Sequence, residues 1–274
     1  MNIADTRIAI LGAGNIGSAV ARGLVHAGLF PAGQIALTRR RSENLALFKK
    51  DGFRVTANNR EALNDADLVF IAVTPQQLNT LLSEIKEVLD RRRHTIVSIV
   101  SGATIGAIRA HLGKEIAIIR AMPNTAIAIR ESMTCLATDD GKTRALPLVK
   151  KIFDALGRTL VIEEELMVPA TALCACGIAF FLRAIRAASQ GGIEIGFHAE
   201  DALLMAAQTA RGAAMLLAKA GNHPEGEVDK VTTPLGCTIS GLNQMEHNGF
   251  SSALIKGIVT SAEKAAVLYA PKTK

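Results

Sequence analysis

Short apolar runs recur along the first 163 residues, separated by stretches whose apolar positions repeat at helical spacing. Runs that end in Gly, Pro or Asn/Asp read as strands buried on both faces, and the intervening pattern reads as amphipathic helix. Strands are predicted at Arg7–Leu11, Gln34–Thr38, Arg54–Thr56, Leu68–Val73, Thr95–Val100, Ala117–Ala121, Met133–Ala137 and Thr159–Ile162. Helices are predicted at Ser18–Ala27, Glu43–Lys50, Gln77–Leu89, Thr104–His111 and Lys142–Leu156. Strands alternating with helices predict an α/β domain built on a mainly parallel, doubly wound sheet. After Glu163 the strand pattern stops and Ala, Leu, Met and Gly dominate. Long helices are expected at Met167–Gly196, Ala199–Lys219, Leu235–Asn248 and Ser251–Tyr269. Small side chains along such helices suit close packing, including packing against a second subunit. The expected division is therefore 1–163 and 164–274, a direct strand-to-helix junction with no tether.

Composition narrows this picture. The chain has 274 residues, 49% of them hydrophobic, with one Tyr and no Trp. A core of that size has to be built from Ala, Leu, Ile and Val. The net charge of +6 comes partly from Arg39-Arg40-Arg41 and Arg91-Arg92-Arg93. These runs come without a recognised nucleic-acid module, so no nucleic-acid partner is expected. Cys135, Cys174, Cys176 and Cys237 form no Cys-x-x-Cys pair and no zinc spacing, so no metal is expected. The longest uncharged apolar run, Met167–Leu182, is short for a bilayer. With no basic-then-apolar leader, the expectation is a cytoplasmic protein without a membrane partner.

The first chemistry lies in Gly12-Ala13-Gly14-Asn15-Ile16-Gly17, which follows one predicted strand and opens a helix. In that context the first glycine permits a tight turn. The second lets a pyrophosphate approach the backbone, and the third lets helix and strand pack closely. An Asp or Glu about twenty residues on would hold the ribose hydroxyls of NAD. This chain has Thr38-Arg39-Arg40-Arg41-Ser42 there. Guanidinium groups pair with phosphate, so Arg39 and Arg40 point to NADPH and its 2′-phosphate.

Further segments carry a family likeness. Val73-Thr74-Pro75 and Arg120-Ala121-Met122-Pro123-Asn124-Thr125 each end a predicted strand. His223-Pro224 is followed by Val231-Thr232-Thr233-Pro234-Leu235-Gly236-Cys237-Thr238. Together with Ala175-Cys176-Gly177, Ser98-Ile99 and Gln208, they resemble the pyrroline-5-carboxylate reductase family nearly end to end. The resemblance implies an N-terminal NADPH-binding Rossmann-type domain and a C-terminal all-α dimerisation domain, with assembly into a dimer or larger ring. It implies reduction of the cyclic imine acid 1-pyrroline-5-carboxylate to L-proline. By that resemblance Asn59 lies near the adenosine ribose, and Val73, Pro75, Met122, Pro123 and Asn124 line the nicotinamide. Gly236, Cys237 and Thr238 hold the substrate carboxylate with help from Thr233, and the Thr238 hydroxyl reaches the ring nitrogen. Reduction of an imine needs positioning above all, and no acid–base dyad is required.

The chain departs from the family pattern at the substrate side. Cys174-Ala175-Cys176-Gly177-Ile178-Ala179-Phe180 stands where Ser-Gly-Ser-Gly-Pro-Ala-Tyr is usual, and Thr74 where Lys is common. Pro234-Leu235-Gly236 replaces Pro-Gly-Gly, and because leucine resists positive φ a differently shaped loop is expected. Thiols in place of hydroxyls make Cys176 part of a less polar pocket, though buried thiols on an Ala-rich helix also fit inert packing. A different cyclic imine, a keto substrate, or an NADPH-binding paralogue with little activity are the alternatives. The keto reading would need an acid such as Lys219 or Lys230 in the helices.

Overall fold

A computed structural model describes residues 3–40, 45–113, 115–139 and 143–267. The predicted positions Arg41, Ser42, Glu43, Lys142 and Tyr269 lie outside them. The strands are β1 (Ile8–Leu11), β2 (Ile35–Thr38), β3 (Arg54–Thr56), β4 (Leu68–Ile71), β5 (Thr95–Ser98), β6 (Ala117–Met122), β7 (Ser132–Ala137) and β8 (Gly157–Val161). All lie where the apolar runs predicted them. They form one sheet in the order β3-β2-β1-β4-β5-β6-β7-β8. Neighbours pair in parallel except β6 and β7, so β7 and β8 run against the other six. The reversal is made by a short 3₁₀ turn, Thr125–Ile129, ending on Arg130 in the left-handed region at φ 61°.

Every residue of β1, β2, β4 and β5 is buried, which is why these strands read as continuous rather than alternating apolar runs. Helices α1 (Asn15–His26), α2 (Ala46–Lys50) and α6 (Leu146–Asp154) cover one face through Val20, Leu24, Phe48, Val149, Ile152 and Phe153. Helices α3 (Asn59–Leu63), α4 (Pro75–Ile85) and α5 (Ile105–Leu112) cover the other through Leu63, Leu78, Leu82, Ile85, Ile105 and Ile108. The pattern misses α3. It is five residues long and is started by the Asn58 side chain, which accepts from the amides of Arg60 and Glu61. Helix α4 begins at Pro75, two residues before the prediction, because proline is pre-set for a first helical position. After β3 the chain crosses back past β2 to lay β4 beside β1. The strand order reverses there, and the carboxyl ends of β1 and β4 flank the crevice where such sheets take ligands.

The chain divides into two compact units. One runs through Cys176 and resumes at Ser261, and the other is Gly177–Thr260. The first holds the sheet, the helix α7 (Met167–Ala170) and a wide π-type turn, Thr171–Cys176. The predicted helix Met167–Gly196 is thus widened by that turn, where the Thr171 hydroxyl donates back to the Met167 carbonyl at 2.7 Å. The second unit is helical: α8 (Gly177–Glu194), α9 (Ala199–Ala220), α10 (Pro224–Lys230), α11 (Cys237–His247) and most of α12 (Phe250–Ala266). Helix α10 is a further short element that periodicity misses, begun by Pro224 at its first position and capped by His223.

Candidate active site

The loop after β1 shows why its glycines stand where they do. Gly12 has φ +108°, and a Cβ there would sit 2.6 Å from the Ala72 carbonyl oxygen at the end of β4. A Cβ on Gly17 would meet the Gly12 carbonyl oxygen at 2.3 Å. Gly14 differs: its φ is −82°, and a Cβ would meet nothing within 4 Å. Neither backbone strain nor protein packing demands glycine at Gly14. The space beside its backbone is open. Gly14 caps α1 without a side chain, so the first-turn amides of Asn15, Ile16 and Gly17 have no intrahelical acceptor and face that room with the positive end of the helix. Asn15 is exposed and Ile16 half-buried. This cradle fits the pyrophosphate of a dinucleotide.

The end of β2 is tied to the same loop. The buried Thr38 carbonyl accepts from the amides of Gly12 (3.3 Å) and Ala13 (2.8 Å). The Thr38 hydroxyl donates to Asn59 Oδ1 at 2.6 Å, and Asn59 Nδ2 donates to Glu84 at 2.9 Å. Asn59 is therefore held between α4 and the end of β2. Glu84 carries no motif and sits 25 residues from its partner, so pattern reading passes over it. Arg39 is half-buried and lines a groove of about 450 Å³ along α1 with Gly14, Asn15, Ser18, Arg22 and Arg130. Arg40 is exposed and does not line that groove. Arg22 stacks 4.7 Å from the Phe48 ring centre and pairs with Asp51 at 3.7 Å. The structure thus separates two arginines that the sequence treats alike.

Across the crevice, Val73 and Pro75 are half-buried at the end of β4. At the end of β6, Met122 and Pro123 are buried. Asn124 Oδ1 accepts from the Ala126 amide at 3.0 Å, and its Nδ2 donates to the Cys174 carbonyl at 3.3 Å. Just upstream Arg120, 2% exposed, donates to Glu164 at 3.1 Å. The same Glu164 oxygen takes the Ile105 amide at 2.6 Å. Burial lowers the Arg120 pKa, and Glu164 opposes the shift. A residue pair 44 apart gives no sequence signal, yet it clamps the start of the helical segment to β6 and α5. The segment is thus held at both ends, by Arg120 at Glu164 and by Asn124 at Cys174. Cys176 closes the wide turn and is half-buried.

The predicted substrate loop lies in the helical unit. Thr233-Pro234-Leu235-Gly236 is a four-residue turn closed by Gly236 N–H donating to the Thr233 carbonyl at 2.9 Å. Proline at its second position and a positive φ at its third follow the type II pattern. Leu235 takes that third position at φ 60° with its side chain fully exposed. Leucine thus takes the positive φ that a glycine adopts freely. The turn supplies the positive φ and leucine accepts it, because an unbranched Cβ pointing into solvent clashes with nothing nearby. A Cβ on Gly236 would lie 2.5 Å from Thr233 Oγ1, so Gly236 lets that hydroxyl close in. Helix α11 then starts at Cys237 with no side-chain cap, leaving the first-turn amides of Cys237, Thr238 and Ile239 for a ligand anion. Cys237 is exposed and Thr238 half-buried. The expected cofactor-side residues and Cys176 belong to the first unit, and Thr233, Gly236, Cys237 and Thr238 to the second. No group of three His, Cys, Asp or Glu side chains spaced for a metal occurs among the described residues.

A doubly wound sheet with a dinucleotide cradle at its switch point, continued by an all-helical segment, defines a Rossmann-type oxidoreductase. Comparison with known proteins agrees. Residues 7–102 match the family model for NADP oxidoreductase, coenzyme F420-dependent, and residues 164–268 match that for pyrroline-5-carboxylate reductase dimerisation. Pyrroline-5-carboxylate reductase 2 of Dictyostelium discoideum is 50% identical, over 95% of this chain and 92% of its own length. Pyrroline-5-carboxylate reductase 1 of the same organism is 55% identical over 99% of this chain, and this chain spans about half of it (51%). A pyrroline-5-carboxylate reductase structure from Coxiella burnetii superposes with a TM-score of 0.90 at 28% identity, covering 97% of this chain and 100% of that one. The chain belongs to the pyrroline-5-carboxylate reductase family. Its dinucleotide is NADP(H), and its C-terminal segment is the family's dimerisation region.

Proposed function

We propose that this protein reduces 1-pyrroline-5-carboxylate to L-proline with NADPH. The observation that carries the reading is that the chain holds two uncapped helix starts, each preceded by a glycine. One is the Gly14 loop, with space where a side chain would be. The other is the Thr233–Thr238 turn, whose glycine lets a hydroxyl approach the bare N-terminus of α11. Bound NADPH supplies the hydride. The chain's part is positioning, and an imine carbon is already electrophilic. Asn15, Ile16 and Gly17 amides take the pyrophosphate, and Arg39 takes the 2′-phosphate, with Arg40 in a lesser, solvent-screened role. Asn59 steadies the adenosine ribose. Val73, Pro75, Met122, Pro123 and Asn124 bound the nicotinamide. Amides of Cys237 and Thr238, with the Thr233 hydroxyl, hold the substrate carboxylate; the expected Gly236 amide is instead taken by the Thr233 carbonyl, and Gly236 contributes room for the hydroxyl. The Thr238 hydroxyl donates to or accepts from the ring nitrogen. Cys176 borders the ring with a thiol where relatives carry a hydroxyl.

On this reading residues 1–163 bind the cofactor, and 164–274 carry the substrate loop and the dimer contacts. The helical stretch Glu164–Glu194 is apolar and long enough to cross a membrane by composition alone, an 18-residue window of it having a mean hydropathy of 1.9. We assign that apolar surface to another subunit rather than to lipid, since it coincides with the dimerisation match. A cytoplasmic location and a partner list of cyclic imine acid and self go with it.

The test is NADPH oxidation followed by absorbance with 1-pyrroline-5-carboxylate and a panel of other cyclic imines. Turnover with the pyrroline acid, lost in Thr238→Ala while NADPH still binds, supports the assignment. NADPH binding with no oxidation across the panel would overturn it in favour of a paralogue without catalysis.

A further inference from the structure

Cys135 and Cys174 are 39 residues apart, and no spacing rule joins them. Cys135, on β7, is 3% exposed in a small apolar cluster with Met122, Ala137 and Met167. Cys174, in the wide turn 171–176, is half-buried and packs onto that cluster from its rim. Both are free thiols, Cys174 packs against the cluster that holds Cys135, and a hydrogen bond donated by Cys135 to Cys174 couples them. That donation holds the Cys174 thiol below the ordinary cysteine range against the opposing effect of burial. The same bond, and then burial, push Cys135 up. Cys174 thus lies half-buried at the rim and is biased toward thiolate, while Cys135 is sheltered within the same cluster. This is the arrangement of an attacking and a resolving thiol.

We propose that Cys135 and Cys174 form an oxidation site, at which a hydroperoxide converts the thiol pair into an intramolecular disulfide tying the 171–176 turn to β7. The Cys174 thiolate attacks the hydroperoxide. An S–O bond forms, the O–O bond breaks, and the alcohol (water, for hydrogen peroxide) leaves with a proton. Cys135 sulfur then attacks the sulfenic sulfur of Cys174. The S–S bond forms, the S–O bond breaks, and hydroxide leaves as water with the Cys135 proton. Two thiols are oxidised by two electrons, and the hydroperoxide is reduced by two.

The site is coupled to the nicotinamide wall. Asn124 donates its side-chain amide to the Cys174 carbonyl at 3.3 Å and its backbone amide to Ser132 Oγ on β7 at 3.1 Å. A cross-link between the turn and β7 acts on both anchors of Asn124 and on the Met122 side chain in the same cluster. Turnover is therefore expected to fall in the oxidised form, a consequence that rests on the reductase reading above.

The experiment uses the full chain, reduced and desalted, then treated with hydrogen peroxide and mapped by non-reducing peptide mass spectrometry. One linked peptide pair joining Cys135 to Cys174 is expected, reversed by dithiothreitol, with NADPH-dependent turnover falling several-fold and returning on reduction. In Cys135→Ser, which keeps a donor beside Cys174 but no second thiol, no link forms, and dimedone traps Cys174 as the sulfenic acid. Cys174 joined instead to Cys176, or both thiols untouched while Cys237 oxidises, overturns the site. A Cys135–Cys174 link that leaves turnover unchanged overturns the coupling. If reduced enzyme turns over no cyclic imine, the reductase reading fails, and the peptide map still decides the oxidation site.

Discussion

Single residues decide the cofactor and the shape of the substrate turn. A charge-assisted contact from Arg39 to a 2′-phosphate is worth about 1.5–3 kcal/mol. Arg39→Ala should therefore raise the KM for NADPH by about tenfold or more while shifting that for NADH much less. Arg40→Ala should do less, because Arg40 is exposed and outside the groove. Steady-state kinetics with both cofactors decide this, and equal effects on the two cofactors would remove the phosphate assignment. Leu235 poses a different question. It holds a left-handed conformation with no packing to repay the cost, which is about 1 kcal/mol for a residue with a Cβ. Leu235→Gly relieves that strain and gives part of it back as chain entropy in the unfolded state. The expected result is a Tm equal to or up to a few degrees above that of the parent. A lowered Tm in a thermal melt would mean the side chain packs on something outside this chain, such as a second subunit.

Elements are positioned by a few buried polar contacts. His94 closes the turn into β5. Its Nδ1 accepts from the Asp90 amide at 2.9 Å, and its Nε2–H donates to the Leu63 carbonyl at 3.2 Å at the end of α3. The ring is 5% exposed, and burial lowers its pKa from the ordinary value of 6.5. The folded protein therefore binds a proton at His94 less readily than the unfolded chain does. The stability that follows is complete above about pH 6.5 and falls as pH drops below it, by at most about 1.4 kcal/mol per pH unit. Urea melts from pH 7.5 down to 5 should show that decline, and His94→Gln, which keeps a donor and an acceptor but does not titrate, should flatten it. An equally steep decline in the variant would assign it to other groups. The contacts at His94 and the clamp of Glu164 on Arg120 and Ile105 share a feature. Each joins residues distant in sequence through one oxygen or nitrogen, so neither is legible in periodicity. By contrast, all the strands and the covering helices α1, α2, α4, α5 and α6 were legible, because burying an element imposes a repeat on its own residues. The short helices α3 and α10 were not, since one or two turns carry too few apolar positions to show a period.

At the scale of the molecule, the two compact units differ in what they bury. The sheet unit has full cores on both faces. In the helical unit Ser189 and Ala202 are buried, while Phe181 is 60%, Leu204 70% and Ile255 62% exposed. Helix α8 meets α9 closely, with Gly192 facing Ala202, yet most of the apolar surface of the unit is open. Such surface calls for another protein chain, and the dimerisation match names a second copy. Phe181→Glu places a charge on that surface and should shift the protein to monomer in sedimentation velocity, with turnover lost along with the assembly. A variant that stays a dimer with full turnover would place the interface elsewhere on the helices.

The residue pattern by itself determined the strand order of events along the chain, the glycine loop, the basic residues in place of a ribose-binding acid, and the helical second half. Those features are local, and each leaves its mark within one or two elements. Only the tertiary structure parted Arg39 from Arg40, set Asn59 between Thr38 and Glu84, and brought Cys135 to Cys174. It also showed that Leu235 takes the positive φ of its turn. These depend on which side of an element faces which neighbour, and contacts between residues dozens of positions apart are decided by packing rather than by any repeat along the chain.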